Sequence, residues 1–561
     1  MADGNSSNGE PKLVTLTIDD REVTVPEGTR LIDAALVQGA DVPHYCYHPG
    51  LSVAGNCRIC IVEIVGGRGN PLQIACNTPV AEGMVVKTES EAVLKRRADV
   101  LEFLLVNHPL DCPICDQAGE CLLQIYYMEH DRQKSRVEVD KVHKDKVVPI
   151  GPRVMLDQER CILCTRCVRF LDEVPKTGEL CVVNRGDHSQ LTTFPGKQVD
   201  NDYSENIVDI CPVGALTSRL FRFQARAWFL KGVDTVCTRC ATGCNVRVDY
   251  YHHEVVDFHN GKAYRLVPRY NPQVNGHWMC DDGRLAFHDV NDDRAHTPQR
   301  RPSRSDDQVP VSYREALESA RAWVQGARSK GTLAGIASPE CTLEELHLFR
   351  KLFRHAGSDL WSFESWKPEG RRDDFLIHAE KQPNGRGVRL LGPGKPLEEI
   401  LDACARGKVG TLVLLRSPLF DHAGDREDLV EKAMAGADKV VSISHKLDRT
   451  SLAADVILPS VSFIERDGTF ISASGRIQRI RRGPHPFGRA RLDLEILGEL
   501  LEGIGAETGD VSAAHVFAEI AREIPVLEAV TWEGMGKAGI AVDPAALDAE
   551  GEALETGEVS R

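Results

Sequence analysis

Cysteines are the residues of this sequence that are most able to do chemistry. The chain has 18 of them, and all except Cys341 and Cys404 lie between Cys46 and Cys280. This is well below the density of a disulfide-stapled secreted scaffold. Closely spaced thiols in a reducing compartment are more often metal ligands than bridges. The pattern therefore predicts metal sites, and Cys341 and Cys404, which have no partners nearby in sequence, are interpreted as structural.

The first group consists of Cys46, Cys57, Cys60 and Cys76, with the spacing C-x10-C-x2-C-x15-C. A [2Fe–2S] cluster is held by Cys thiolates, usually with most of them on one loop and the last on a distant segment. The spacing differs from that of plant-type ferredoxins. Four thiolates also suit tetrahedral zinc, so the spacing alone leaves a zinc site open.

The second group consists of His108, Cys112, Cys115 and Cys121 in the segment HPLDCPICDQAGEC. One imidazole and three thiols suit either a [4Fe–4S] cluster or a zinc site with the same four ligands. A lone histidine near a helix end is often a cap or a surface residue. Its place just ahead of three thiols favours a ligand.

The third group is Cys161-x2-Cys164-x2-Cys167, and it is the strongest local signal in the chain. Bacterial ferredoxins use such a triplet for three corners of a cubane, followed later by a Cys-Pro pair. Cys211 precedes a proline and is the preferred fourth ligand. Cys181 is nearer, but it lies in the apolar segment LCVV and is interpreted as a buried apolar residue.

The fourth group is Cys237-x2-Cys240-x3-Cys244, followed after 35 residues by Cys280. Taken alone, this spacing fits a zinc ribbon as well as a [4Fe–4S] cluster. Three neighbouring groups that favour clusters make a fourth cluster the better interpretation.

Short elements must position these groups. We predict a hairpin over residues 13–18 and 22–25, and a helix that starts at Thr29 and ends at Gly39. Two further strands are predicted over residues 59–65 and 84–88. The capping box Thr88-x-x-Glu91 predicts a longer helix that closes before His108-Pro109. Residues 136–300 are loop-rich, apart from a helix predicted over 215–230, and residues 291–310 are interpreted as a linker. Beyond 310, capping boxes at Ser312 and Thr342 and alternating strands and helices indicate an α/β domain.

Composition excludes several classes of protein. The net charge of −15 argues against nucleic-acid binding, which needs clustered Lys and Arg. The longest apolar stretch, residues 411–415, is too short to span a bilayer, and the polar first residues do not resemble an export signal. We expect a soluble, cytoplasmic protein.

Six segments together resemble one family, that of the large peripheral-arm iron–sulfur subunit, the G subunit, of bacterial NADH–quinone oxidoreductase (respiratory complex I). The resemblance is close over residues 13–290, and the order and number of the four groups make it specific. The segments are PHYCYHPGLSVAGNCRICIVEI, HPLDCPICDQAGECLLQ, CILCTRCVRF, DICPVGALTS, CTRCATGCNVRV and GHWMCDDGR.

The resemblance implies one [2Fe–2S] cluster on the first group and one [4Fe–4S] cluster on each of the other three. It implies an α+β and α/β multidomain protein. The expected parts are a disordered N-terminus (1–12), a β-grasp ferredoxin-like [2Fe–2S] domain (13–90), a [4Fe–4S] module with one His and three Cys ligands (91–135), a ferredoxin-like [4Fe–4S] module (136–230), a molybdopterin-oxidoreductase-type [4Fe–4S] domain (231–290), a reduced molybdopterin-oxidoreductase-like α/β domain (291–535) and a disordered tail (536–561).

The resemblance beyond residue 290 is to the molybdopterin oxidoreductase fold, through the segments ADVILP, ERDGTF and GRIQ. Active members usually carry Lys two residues after the last cluster Cys, where this chain has Asp282, and no molybdenum-ligating motif is evident. We therefore expect no molybdopterin and interpret the domain as an enzymatically silent scaffold.

The family implies that electrons from NADH enter through a flavin on a partner subunit. They then pass singly through this chain toward further iron–sulfur subunits and quinone, at the cytoplasmic face of the inner membrane. No G-x-G-x-x-G motif indicates a dinucleotide site here, and no residue is expected to be catalytic. The alternatives are an electron-transfer subunit of an NAD-linked formate dehydrogenase or hydrogenase and, in another class, a zinc-bound scaffold.

Overall fold

The computed structural model describes residues 12–66, 69–130, 134–252 and 261–556. The chain divides into two compact units, Met1–Trp228 and Phe229–Arg561. Among the described residues, no helix is long and apolar enough to cross a membrane. Most of the predicted disordered N-terminus, residues 1–11, lies outside the described residues.

A five-stranded mixed sheet with one helix begins the first unit, in the strand order β2-β1-β5-β3-β4. The predicted hairpin is confirmed, and Gly39 ends α1 in a left-handed conformation. Helix α1 starts later than predicted, because the Thr29 hydroxyl donates to Pro26 O instead of capping. The elements are β1 (Leu13–Ile18), β2 (Arg21–Pro26), α1 (Leu31–Gln38), β3 (Ile61–Val65), β4 (Leu72–Ile74) and β5 (Val85–Lys87).

The predicted longer helix is present as α2 (Glu91–Leu105) and ends before His108. Its predicted capping box is wrong. Ser90 is the N-cap and accepts from the Val93 amide, whereas the Thr88 side chain and amide both donate to Asp19. Asp19 lies in the hairpin turn, so a tertiary contact takes Thr88 away from the helix.

The rest of the first unit consists of short elements joined by loops. These are α3 (Leu122–His130), β6 (Val148–Pro149), β7 (Val154–Leu156), α4 (Arg166–Glu173), β8 (Leu180–Val183), β9 (Gln190–Thr193), α5 (Asn206–Asp209) and β10 (Leu216–Ser218). The helix predicted over 215–230 is wrong. Its first residues form β10, which pairs with β7 in a three-stranded sheet, so tertiary pairing overrides the local apolar pattern.

The second unit opens with an antiparallel sheet of β11 (Leu230–Val236), β12 (Asn245–Tyr251) and β13 (Ala263–Pro268), followed by α6 (Asp281–Arg284) and α7 (Phe287–Asn291). Then comes a seven-stranded sheet in the order β15-β14-β20-β19-β18-β16-β17, in which β16 to β20 are parallel. Its strands are β14 (Gln299–Arg300), β15 (Val309–Pro310), β16 (Leu333–Ala337), β17 (Trp361–Ser362), β18 (Thr411–Leu415), β19 (Lys439–Ser444) and β20 (Val456–Pro459).

Helices accompany this sheet, and a small sheet of β21 (Gly468–Ile471), β22 (Arg476–Ile480) and β23 (Ile540–Ala541) follows it in the chain. The predicted N-caps Ser312 and Thr342 are confirmed. The helices are α8 (Tyr313–Lys330), α9 (Leu343–Ala356), α10 (Gly385–Leu391), α11 (Leu397–Ala405), α12 (Leu419–His422), α13 (Glu427–Gly436), α14 (Arg449–Ala453), α15 (Asp493–Gly503), α16 (Ala513–Glu523) and α17 (Pro544–Thr556).

Two segments that were expected to be irregular contain regular structure. Residues 291–310, interpreted as a linker, contain β14 and β15, which join the large sheet. Residues 536–561, expected to be disordered, contain β23 and α17. Leu547 of α17 is fully buried in the apolar core of the second unit. This contact orders the Ala-rich tail, although its composition alone indicated disorder.

Buried ion pairs lie beside the carboxyl ends of the parallel strands. Arg416 directly follows β18, and its Nη2 lies 2.6 Å from Asp493 Oδ2, with both side chains almost fully buried. Arg466 and Glu345 form a second buried pair, with an Nη1–Oε1 distance of 2.7 Å. Each charge in these pairs relies on its partner, because water does not reach it.

Replacing Arg416 with methionine should destabilise the second unit by about 3–5 kcal/mol, since Asp493 would stay buried without its cation. The matched control Arg406→Met removes an exposed ion pair with Asp402 and should cost under about 0.5 kcal/mol. Urea unfolding followed by tryptophan fluorescence measures both, and equal effects of the two substitutions would contradict the role of the buried pair.

Candidate metal centres

The first group of cysteines forms two thiol pairs. The Cys46 thiol contacts that of Cys57, the Cys60 thiol contacts that of Cys76, and Cys46 also reaches Cys76. Cys46 lies on the loop after α1, Cys60 directly precedes β3, and Cys76 lies in a 3-10 turn after β4. A rhombic [2Fe–2S] cluster with two irons calls for thiolates in this paired arrangement.

Hydrogen bonds among these thiols separate their pKa values. Those from Cys57 and Cys76 lower the pKa of Cys46, and the one from Cys76 lowers the pKa of Cys60. The same contacts raise the pKa of Cys57 and of Cys76. Each pair therefore offers one thiolate readily, and a bound metal would have to displace the proton of the other.

Three members of the second group, His108, Cys112 and Cys121, line a cavity of about 480 Å³. Burial lowers the pKa of His108 to about 4, so its imidazole is neutral near pH 7. Its Nδ1 is buried and has no hydrogen-bond partner among the described residues. A neutral imidazole with an open nitrogen is what metal ligation by histidine requires.

Cys115 lies behind this cavity, against the loop that follows Cys211. A Cβ atom built on Gly214 would lie 2.4 Å from Cys115 Sγ, so only glycine fits at that position. The Leu122 amide, next to Cys121, donates to Pro212 O at 3.0 Å. The loop that carries Cys211 thus packs directly against the second group.

Cys161 and Cys164 of the third group lie on the loop before α4, where Leu163 and Thr165 adopt left-handed conformations, and Cys167 is the second residue of α4. Cys211 follows α5. Cys161, Cys164, Cys167 and Cys211 together line a cavity of about 20 Å³. Burial raises the pKa of Cys161 to about 12 and that of Cys164 to about 11. These thiols would be neutral without a metal, and iron would have to displace their protons.

Cys181 lies outside this cavity. It belongs to β8 and pairs with Thr192 of β9, and the neighbouring Val182 lines the cavity in its place. The structure thus brings Cys211, and not Cys181, to the triplet.

The fourth group is buried where β11 meets β12 and at the start of α6. The Cys237 amide donates to Cys244 O at 2.8 Å, and Cys280 caps α6 by accepting from the Gly283 amide. A Cβ on Gly283 would lie 3.3 Å from Cys237 Sγ and 3.6 Å from Cys280 Sγ. Burial raises the pKa of Cys280 to about 11.

The distance between thiol sulfurs distinguishes a site for an iron–sulfur cluster from a site for a single zinc ion. A Zn–S bond of about 2.3 Å would place tetrahedral sulfurs about 3.8 Å apart. In the described part of the chain, only His347, Glu519 and Glu523 bring three such ligand atoms within 4.8 Å of one another. No three thiols of any cysteine group meet that distance, so the thiols of each group are spaced more widely than the ligands of one zinc ion.

One apolar core contains cysteines of three groups. Cys46, Cys121 and Cys164 are buried in it, and Cys57, Cys161 and Cys211 pack against it. Its other buried members are Tyr45, Ile59, Leu101, Leu123, Tyr126, Val213 and Ala215. Each of the first three groups therefore places at least one cysteine in the same apolar interior.

Sequence reasoning missed residues that hold these sites without ligating. Gly214 gave no signal beyond its place after the Cys-Pro pair. Arg166 and Arg169 of α4 donate to backbone carbonyls of the first group's loop, which is distant in sequence. No local pattern could have indicated a contact across more than a hundred residues.

Family models match both units of the chain. The 2Fe-2S iron-sulfur cluster binding domain matches residues 11–91, and the NADH-ubiquinone oxidoreductase-G iron-sulfur binding region matches 97–136. The ferredoxin-like domain of NADH-quinone oxidoreductase subunit 3 matches 151–217, and molybdopterin oxidoreductase matches 374–503. These matches agree with the predicted iron–sulfur domains and fold class.

Similar proteins cover the chain to different extents. The NADH-quinone oxidoreductase G subunit of Rickettsia felis is 36% identical over 92% of this chain and 91% of that protein. The corresponding G subunit of Streptomyces coelicolor is 40% identical over 61% of this chain, and the match spans only 40% of that protein's length. A solved NAD+-reducing [NiFe]-hydrogenase chain is 31% identical over 38% of this chain, with a TM-score of 0.34.

If the second group holds a [4Fe–4S] cluster, Gly214→Ala should selectively lower the iron bound there, since the new methyl group would lie 2.4 Å from Cys115 Sγ. Mössbauer spectra of the purified protein should show less [4Fe–4S] iron and an unchanged [2Fe–2S] signal. Gly326→Ala is the matched control, because nothing lies within 4 Å of its Cβ position in α8. Full iron content in Gly214→Ala would contradict the packing of this loop against Cys115.

Proposed function

Since the chain belongs to the family of the NADH–quinone oxidoreductase G subunit, an iron–sulfur electron-transfer subunit, we propose that it relays single electrons through four clusters. The [2Fe–2S] cluster would be held by Cys46, Cys57, Cys60 and Cys76. The three [4Fe–4S] clusters would be held by His108, Cys112, Cys115 and Cys121, by Cys161, Cys164, Cys167 and Cys211, and by Cys237, Cys240, Cys244 and Cys280.

The shared apolar core of the first unit carries this proposal. Electron transfer needs redox centres that lie close together in a dry medium whose atoms move little when the charge changes. The core that buries Cys46, Cys121 and Cys164 supports both needs for three of the four sites, because it holds cysteines of all three in one apolar interior. When bound, the clusters would supply the one-electron chemistry, and the chain would hold them in place and exclude water.

The side chains would also set the affinity of each site for electrons. Because His108 is neutral where the other sites have a thiolate, the second site would carry one negative charge less. A less negative site accepts an electron more readily, which favours its reduced state. The fourth site lies in the second unit and has its own sheet and helix caps.

The partners are proposed from the family. A flavin-bearing, NADH-oxidising subunit would deliver electrons, and further iron–sulfur subunits would take them toward quinone at the cytoplasmic face of the membrane. The relatives are named as subunits of NADH-quinone oxidoreductase, which favours this function over a formate dehydrogenase or hydrogenase subunit.

The molybdopterin oxidoreductase domain is proposed to act as a scaffold without pterin. Ligands of open α/β sheets bind at the carboxyl ends of the strands, where the strand order reverses. That reversal falls between β16 and β18, and the buried Arg416–Asp493 pair lies beside it. These two side chains neutralise each other at that point, which supports the proposal of a domain without pterin.

Electron transfer through the third site tests the function. In the complex assembled in its host, Cys164→Ala should reduce NADH-to-quinone turnover at least about tenfold, because it removes a ligand in the middle of the chain of clusters. Cys404→Ala is the matched control, since Cys404 is equally buried but lies in α11, far from the cysteine groups in sequence.

Immunoblotting of the membranes gives the amount of assembled complex, so that turnover is compared per complex. An assembled Cys164→Ala complex that lacked the third cluster but kept the control's turnover would contradict the relay.

A further inference from the structure

Arg166 joins the loops of two different cluster sites. It is the first residue of α4 and only 6% of it is exposed. One terminal nitrogen donates to Tyr47 O, next to Cys46, and the other donates to Ile210 O at 3.1 Å, next to Cys211. One guanidinium therefore touches the loop of the first site and the loop of the third.

In the described part of the chain, the charge of Arg166 has no carboxylate partner. It forms no ion pair with Asp or Glu there, no carboxylate is among the groups that most affect its pKa, and its Nε has no hydrogen-bond partner. Its strongest electrostatic interactions are with the thiols of Cys164 and Cys211 of the third site and of Cys57 and Cys46 of the first. A buried cation needs anions nearby, and here the cluster thiolates are the groups able to provide them.

A fixed cation that lies near two redox centres changes the reduction potentials of both. Reduction adds one negative charge to a cluster, and a nearby positive charge stabilises that state most strongly in a medium of low dielectric constant. We propose that Arg166 is a shared tuning residue, whose single charge raises the reduction potentials of the [2Fe–2S] cluster and the third-site [4Fe–4S] cluster together. This rests on the ligand sets proposed above.

Other buried arginines lie near one site only. Arg97 is 1% exposed, interacts with Cys60 of the first site and donates to Ile61 O at 3.1 Å. Arg160, near Cys115 of the second site, is bound by the carboxylates of Asp111 and Asp157, which offset its charge. Neither provides an uncompensated charge at two sites.

Redox titration of Arg166→Gln tests the proposal. In the holo-protein, monitored cluster by cluster by low-temperature EPR, the reduced-to-oxidised ratio of both clusters at fixed potential should fall at least about tenfold, where each tenfold change is about 59 mV for a one-electron couple. The clusters of the second and fourth sites should titrate as in the wild type. Arg166→Lys keeps the charge and should restore both potentials most of the way.

Arg97→Gln is the matched control, because it removes an equally buried charge and should shift the [2Fe–2S] cluster alone. Arg169→Gln is the milder second variant in case Arg166→Gln loses its clusters. Arg169 is half-buried and donates to Cys46 O at 2.5 Å and to Cys164 O at 3.5 Å, so its loss should shift the same two clusters in the same direction by less.

A shift confined to one cluster in both the Arg166 and the Arg169 variants, or no shift in either, would overturn the shared role. A wild-type protein without [2Fe–2S] and [4Fe–4S] signals would instead refute the proposed function on which this inference rests. A shift of equal size in Arg166→Lys and Arg166→Gln would show that hydrogen bonding, and not charge, sets the potentials.

Discussion

Burial of thiols is the constraint on which the first unit depends. Burial raises the pKa of Cys161 and Cys164 far above neutrality, so without metal these positions would hold uncharged thiols around a small cavity. Bound iron would replace those protons and turn the same loops into rigid, charged centres. Because β6 to β10 are all short, ligation would add to the stability that the buried apolar residues of this region provide.

Contacts between loops bring the first three cysteine groups together in the first unit. The loop after Cys211 closes over Cys115 because residue 214 is glycine, and α4 reaches the first site through Arg166 and Arg169. The second unit works differently. Its large parallel sheet has an apolar core and buried ion pairs, so this part of the unit can be stable without a cofactor.

The sequence was most informative where function restricts local spacing. The cysteine groups, the first hairpin and the N-caps Ser312 and Thr342 could all be predicted, since each depends on residues close together in the chain. The prediction failed where a distant partner decides. Thr88 binds Asp19, residues 216–218 pair with β7, and Leu547 orders the tail by entering a core. Arg166 and Gly214 could not have been identified for the same reason.

Iron, zinc and acid-labile sulfide content of the anaerobically purified protein tests the central claim most directly. One [2Fe–2S] and three [4Fe–4S] clusters predict about 14 irons per chain, an equal amount of sulfide and no zinc. Little iron together with several zinc ions per chain would contradict the account and leave a structural scaffold.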